Sequence, residues 1–319
     1  YSQAFYTLFL KHDSYKGVFI RKHHTEITID RFKDVFANFC ARTYSRQQII
    51  FTRDEITDFI SKSLIAEEID AAPEDFLNDL VESVCLIQRD GYKYSFVHRS
   101  FQEYFTALYL TKATEIDLRS AIDQIAERGN FDRVISMLRD MMTDKVDREW
   151  TLVEMEKRLK EINTYRAKGE LEYASYFIRH ISGELGGGIT VGWTRNASRY
   201  FGLQSIFNYD ARSIFRSTNI GTLVPKKLSE KFGENGLSLD TLREDGEEGE
   251  SGVVIFGCDD YAISSTVFDE DEVLSFVQEA EITKWLDEGV LFLEQKRGEL
   301  VSRLERRTAA MGEVFGFEE

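Results

Sequence analysis

Leu86-Ile87-Gln88-Arg89-Asp90-Gly91-Tyr92-Lys93-Tyr94-Ser95-Phe96-Val97-His98 is the stretch that decides the fold of the first third of the chain. Asp-Gly between two apolar runs predicts two short antiparallel strands joined by a tight turn. Upstream, Asp30 is a good N-cap for a helix carrying Phe32, Val35, Phe36, Phe39 and Cys40 at helical spacing. Ile49-Ile50-Phe51 reads as a short strand. Thr52-Arg53-Asp54-Glu55 predicts a capping box, with Thr52 at the N-cap and Glu55 reaching back. Its helix carries Ile56, Phe59, Ile60 and Leu64. Pro73 suits a helix first turn, and Phe76, Leu77, Leu80, Val81 and Val84 continue that helix. Downstream, Ser100-Phe101-Gln102-Glu103 predicts a second capping box, opening a helix through Leu110.

The order helix, short strand, helix, helix, strand, turn, strand is that of a winged helix, with residues 86–98 as the wing. The expected fold is therefore mainly α with small β elements: a winged helix, then a helical region, then a small α/β C-terminal domain. The segments are a helical stub over 1–28, the winged helix over 29–116, a helical linker region over 117–185 and the α/β domain over 186–319. In the linker region Leu118, Ile122 and Ile125 form one apolar face, Phe131, Val134, Ile135 and Leu138 another, and Leu171 to Ile181 continues the helical pattern. Gly186-Gly187-Gly188 breaks it. Ile189 to Trp193 reads as a strand, residues 196–216 and Pro225 to Phe232 as short helices, and residues 233–252 as a Gly- and acid-rich loop. Val253-Val254-Ile255-Phe256 is a buried-strand run. Asp269 caps a helix to about Glu288, Gly289 breaks it, and a final amphipathic helix runs from Val290 to about Ala310.

One segment is specific enough to suggest a family. Phe96-Val97-His98-Arg99-Ser100-Phe101-Gln102-Glu103-Tyr104-Phe105, the wing before it and Leu8-Phe9-Leu10-Lys11-His12-Asp13-Ser14-Tyr15-Lys16-Gly17 together resemble bacterial NACHT proteins of the STAND class. The resemblance covers roughly the first third of the chain. It implies the regulatory and sensing part of a signalling ATPase that acts in antiphage defence and oligomerises when it senses an invader. It implies that His98 contacts a phosphate of ADP or ATP, held with Mg by an NTPase module elsewhere in the polypeptide. It also implies a homo-oligomer on activation and a phage protein as trigger. An imidazole N–H at the end of a wing strand can donate to an anion, and losing that contact would free the module to rotate. The alternative for a lone histidine there is to cap or pack the strand–helix junction.

The chain departs from that pattern. It has no Gly-x-x-x-x-Gly-Lys-Ser/Thr phosphate loop, so no nucleotide hydrolysis and no tight cofactor binding are expected from these 319 residues alone. Val253 to Asp260 looks faintly like a Walker B strand, but without a phosphate loop it reads as a core strand ending in an acidic turn.

Charge narrows the partners. The 40 basic and 56 acidic residues give a net charge of −16. From Asp240 to Glu272 twelve acids face one base, Arg243. The third winged-helix helix carries Glu74, Asp75, Asp79 and Glu82 and no Lys or Arg, with Asn78 its only base reader. A winged-helix DNA-binding regulator is the alternative function, yet DNA phosphates would repel such a face. Nucleic acid is therefore not an expected partner. No apolar stretch approaches the ~20 residues that cross a bilayer, so no membrane association is expected either. Three widely spaced cysteines, Cys40, Cys85 and Cys258, give no disulfide framework and suit a reducing, cytoplasmic setting. The chain opens at Tyr1 inside an apolar periodic run, and the expectation is a piece of a longer polypeptide.

Other candidate sites are weaker. His12 with His23-His24 lacks carboxylate or thiolate partners at ligand spacing, which favours a solvated loop over a metal site. The acidic window does not match an EF-hand loop. His180 falls on the apolar helical pattern, and Ser182 with the Gly run does not form a nucleophile elbow. No catalytic residue is expected.

Overall fold

Helical spacing of large apolar residues gives the N-terminal helices their buried faces in the computed structural model. It describes residues 2–11, 23–128, 133–183, 189–207, 209, 223, 226, 253–259, 262–264 and 269–316. The chain divides into two compact units, residues 1–124 with 130–146, and residues 125–129 with 147–319. Residues of the 117–185 segment are thus shared between the two.

The first unit is built on the winged helix. Helix α1 (Ser2–Lys11) is followed by α2 (Ile29–Ser45), β1 (Ile50–Phe51), α3 (Arg53–Ala66), α4 (Pro73–Asn78), β2 (Ile87–Asp90), β3 (Lys93–Phe96) and α5 (Arg99–Leu110). β3 is the central strand, antiparallel to β1 on one side and β2 on the other. Asp90 pairs with Lys93, so the wing turn is Gly91-Tyr92. Gly91 sits at φ 57, a conformation a side chain would strain, while Tyr92 does not share it; this is the pattern of a II′ hairpin turn. Thr52 and Glu55 form the predicted capping box in full. Pro73 occupies the first turn of α4, where its missing N–H leaves nothing unpaired.

The core is a phenylalanine cluster. Phe32, Phe36, Phe39, Phe51, Phe76, Phe96 and Phe105 are all buried, and Phe5 of α1 joins them. Phe32 stacks on Phe76 at 4.3 Å, tying α2 to α4, and Phe36 meets Phe105 edge-on at 4.8 Å, tying α2 to α5. Cys40 is part of this core, and burial pushes its thiol well above the usual range. Helices α6 (Glu115–Glu127), α7 (Val134–Met141) and α8 (Thr143–Val146) follow. Leu118, Ile122, Val134 and Leu138 form their buried faces. Phe131 lies outside the described residues.

Two local expectations give way here. Helix α2 begins at Ile29 with Thr28 at the N-cap position, and Asp30 lies in its first turn. After Asn78, α4 widens into a π turn over Asp79–Ser83, closed by Val84 N donating to Asp79 O at 2.8 Å.

The second unit opens with a further π turn, Asp147–Thr151, running into α9 (Leu152–Arg166) and α10 (Glu170–Phe177). The helical pattern of Leu171 to Ile181 stops at Phe177. Ile178–Gly183 is strand β4, antiparallel to β5 (Ile189–Trp193) and to β6 (Val253–Asp259), with β7 (Ala262–Ser264) beyond β6. Ile178 and Ile181 stand three apart, a helical and not an alternating spacing, and the pairing with β6, some seventy residues later, overrides it. Helix α11 (Arg195–Ile206) follows β5. Asp269 and Glu272 form a capping box for α12 (Glu270–Glu279). That helix ends earlier than Glu288, at Ala280 and a left-handed Glu281.

The final helix, α13, is a single run of 34 residues from Ile282 to Phe315, and Gly289 does not break it. Gly289 is there for space. A Cβ at this position would lie 2.7 Å from the Tyr200 hydroxyl and 3.0 Å from Gln204 Nε2, and that same Nε2 donates to the Gly289 carbonyl at 3.1 Å. The glycine lets α11 approach α13 closely. Residues 210–222, 224–225 and 227–252, which contain the expected second short helix and the acidic loop, lie outside the described residues.

Candidate functional site

His98 follows directly on the wing. β3 ends at Phe96, whose side chain is buried in the core, and Val97 N donates to Leu86 O at 3.0 Å to close the base of the hairpin. His98 then has extended backbone, φ −146 and ψ 128, and α5 starts at Arg99. The helix cap is therefore His98 and not Ser100, which sits buried in the first turn. The sequence signal was misplaced by two residues because Ser-x-x-Glu fits a capping box, while an imidazole nitrogen supplies the same acceptor.

This cap fixes the ring. Ser100 N donates to His98 Nδ1 at 3.1 Å, and the Ser100 hydroxyl lies 2.5 Å from the same nitrogen. A backbone N–H can only donate, so Nδ1 is the acceptor and the neutral ring carries its proton on Nε2. His98 itself is exposed. The imidazole is thus not sealed in the core: one edge holds the helix start, and the other presents an N–H at the surface beside the positive end of a twelve-residue helix. Arg99, next in sequence, folds back on its own helix, with Nε 3.1 Å from Glu103 Oε1. Val97, 49% exposed, and Ile50, 52% exposed, lie on the outer side of the same small sheet.

A bound nucleotide needs a cradle for its phosphates. The residues here offer one outward imidazole donor and a helix start already capped, with no run of free backbone N–H groups. They fit a single contact to a phosphate held by another module, and not a complete site.

The acidic third helix differs from its expected geometry. Asp79 does not face outward: it is fully buried, and it accepts from His24 N at 2.7 Å, Thr25 N at 2.9 Å, Thr25 Oγ1 at 2.6 Å and Ser83 Oγ at 3.0 Å. The sequence placed Asp79 among solvent-facing acids, and no local pattern marks it; three of its four hydrogen bonds come from a segment more than fifty residues upstream. Glu74 and Glu82 remain exposed on this helix, and it carries no cation. His23-His24 is accordingly not a loose solvated loop. His23 stacks on Phe9 at 4.3 Å, and His24 Nε2 lies 3.4 Å from Glu82. His12 lies outside the described residues. Among the described residues no group of three or more His, Cys, Asp or Glu converges as metal ligands would.

The Walker B-like run forms β6, which is flanked by antiparallel neighbours on both sides. Nucleotide-binding sheets of the phosphate-loop kind are parallel, so this strand belongs to a different architecture. Cys258 and the first acid of its turn, Asp259, are on β6. His180 and Ser182 are on β4 and not on a helix.

The second unit holds its own buried charges. Arg158 is 3% exposed, with Nε 2.9 Å from Glu154 and Nη1 2.8 Å from Glu161, and Nη1 also donates to Asn196 Oδ1 at 3.1 Å. Tyr176 donates to Glu161 at 3.0 Å, and burial raises its phenol strongly. These groups tie α9 to α10 and α11. A shallow groove of this unit, about 630 Å³, is lined by Leu159, Lys160, Asn163, Glu294 and Arg297 among others.

No helix among the described residues is long and apolar enough to cross a membrane. Comparisons with protein-family models, with curated proteins and with solved structures found no match.

Proposed function

We propose that this chain is the regulatory and sensing part of a NACHT-type signalling NTPase, in which the winged helix couples nucleotide state to trigger recognition. The observation that carries this reading is the His98 ring, tied by Nδ1 to Ser100 and offering Nε2–H at the surface. ADP, or ATP with Mg, would be held by an NTPase module of the same polypeptide. The nucleotide supplies a phosphate anion; His98 donates to it and so holds the winged helix in one orientation. The C-terminal unit would read the trigger, by its position after the switch. Homo-oligomerisation on activation and antiphage defence, which rest on the sequence resemblance, and a cytoplasmic setting, which rests on the cysteine usage, complete the proposal. The exposed acids of the third helix, Glu74 and Glu82, weigh against the rival DNA-binding regulator.

The test uses the polypeptide that carries this chain together with its NTPase module. His98→Ala should purify with less ADP and signal without trigger. Unchanged ADP content together with an unchanged trigger threshold would remove His98 from the switch. Retention of a duplex oligonucleotide pool at moderate salt by the winged helix would favour the rival.

A further inference from the structure

Helix α1 comes before the winged helix in the chain, yet its apolar face lies in the winged-helix core. Phe5, Leu8 and Phe9 share one face of α1 at helical spacing, while Gln3, Ala4 and Thr7 are exposed. Phe5 is 0% exposed. Its ring meets Phe105 of α5 edge-on at 5.2 Å and lies 6.4 Å from Phe32 of α2. Phe9 meets Phe32 edge-on at 5.3 Å. At the rim the Tyr6 hydroxyl accepts from Lys33 Nζ at 3.1 Å and donates to Asp30 Oδ1 at 3.1 Å, and both partners are on α2. Past α1, His23 stacks on Phe9, and the next two residues, His24 and Thr25, donate to Asp79 of the third helix. Helix α1 is thus fastened to α2 and α5 by its own side chains, and to the third helix through the 23–25 segment.

We propose that α1 is part of the body that turns in the switch, and that it moves with α2 and α5 without parting from them. The inference rests on the function proposed above, in which His98 holds that body in one orientation. Phe105 lies seven residues, about two helical turns, beyond His98 on the same helix. A displacement of α1 therefore reaches the helix that His98 starts through a buried ring contact, with no loop between them. Parting would uncover Phe5, Phe32 and Phe105, all 0% exposed, and break the Tyr6 bonds to α2. Turning the three helices together keeps that apolar surface out of water, so it is the less costly motion.

Hydrogen exchange on the chain tests where α1 belongs, and ADP release from the polypeptide that includes the NTPase module tests how it moves. In the chain, Phe5→Ala should speed exchange of the α1, α2 and α5 amides by one common factor of roughly a hundredfold, because the three open together, and Phe5→Leu should do so by a smaller common factor. Faster exchange confined to α1 would overturn the proposal. In the polypeptide, Tyr6→Cys and Asp30→Cys, on a background of Cys85→Ser and Cys258→Ser, place two thiols where α1 meets α2, and a short bifunctional thiol reagent ties them. Fluorescent ADP, chased with ATP and Mg, should leave the tied and untied proteins at the same rate. Release slowed several-fold by the tie would mean that α1 must part from α2, and would overturn the proposal. His98→Ser separates the two readings. An ADP release rate unchanged by it would remove the switch, while the exchange result on the chain alone would still decide whether α1 belongs to the winged-helix body.

Discussion

Asp79 is the residue whose replacement should cost the first unit most for its size. Its carboxylate is fully buried and accepts four hydrogen bonds, two of them from the backbone of His24 and Thr25. In Asp79→Ala the Thr25 and Ser83 hydroxyls can rotate to new acceptors, but the two backbone donors cannot. A buried donor left unpaired costs about 1–3 kcal/mol, and hydrogen bonds to a charged acceptor are at the strong end of the range. The Thr25 N–H is buried and bears the full penalty, whereas the His24 N–H is half-buried and recovers part of its bond from water. The sum is roughly 2–5 kcal/mol, enough to bring an ordinary domain near its stability limit. Relief of self-repulsion from a net charge of −16 acts in the opposite sense, but a single charge contributes only a few tenths of a kcal/mol at physiological salt. Denaturant unfolding followed by tyrosine and tryptophan fluorescence measures the total. Hydrogen exchange locates it, with protection lost first over residues 23–28 and 79–86. Asp79→Asn keeps one acceptor and should lose about half as much. If Asp79→Ala unfolds within 0.5 kcal/mol of the parent, Asp79 does not anchor the 23–25 segment.

Two glycines of α13 should respond with opposite sign. Gly289→Ala brings a methyl against the buried Tyr200 hydroxyl, and the roughly 1–3 kcal/mol of overpacking outweighs the ~1 kcal/mol gained in helix propensity. Gly298→Ala meets nothing within 4 Å on an exposed helix face and should stabilise by about 0.5–1 kcal/mol; calorimetry of both separates close approach from flexibility. The second unit should be stable to alkali up to a limit. Burial raises the phenols of Tyr173, Tyr176 and Tyr200 far above the ordinary value of about 10, so the folded chain retains protons that the unfolded chain has lost. The stability they contribute is present in full below about pH 10 and falls as pH rises beyond it, and absorbance at 295 nm should show them ionising only as the unit unfolds.

Much of the winged helix was legible because its signals are local. Asp90-Gly91 names a tight turn, Thr52-x-x-Glu55 names a helix start, and Pro73 sits where a helix tolerates it. Phenylalanines at helical spacing supplied the core. What escaped the sequence was settled by partners far away. Asp79 looks like any acid on a polar helix face until a backbone segment from residues 24–25 meets it. Ile178 and Ile181 carry a helical spacing, and pairing with β6 overrides it. Gly289 reads as a breaker, yet Tyr200 and Gln204 explain it as a point of close approach. At the candidate site the histidine itself was legible and its tether was not, because Ser100 completes a capping motif that the structure fills from His98.

Release of a fluorescent ADP from the polypeptide that joins this chain to its NTPase module tests the role of that histidine most directly. His98→Ser keeps a capping oxygen for α5 and withdraws the outward N–H, which separates helix stability from phosphate contact. One hydrogen bond to a charged phosphate is worth about 1.5–3 kcal/mol, so ADP should leave His98→Ser at least about tenfold faster than the unaltered protein, with the unfolding midpoint of the winged helix little changed. An ADP release rate equal in the two proteins would contradict a phosphate held by His98.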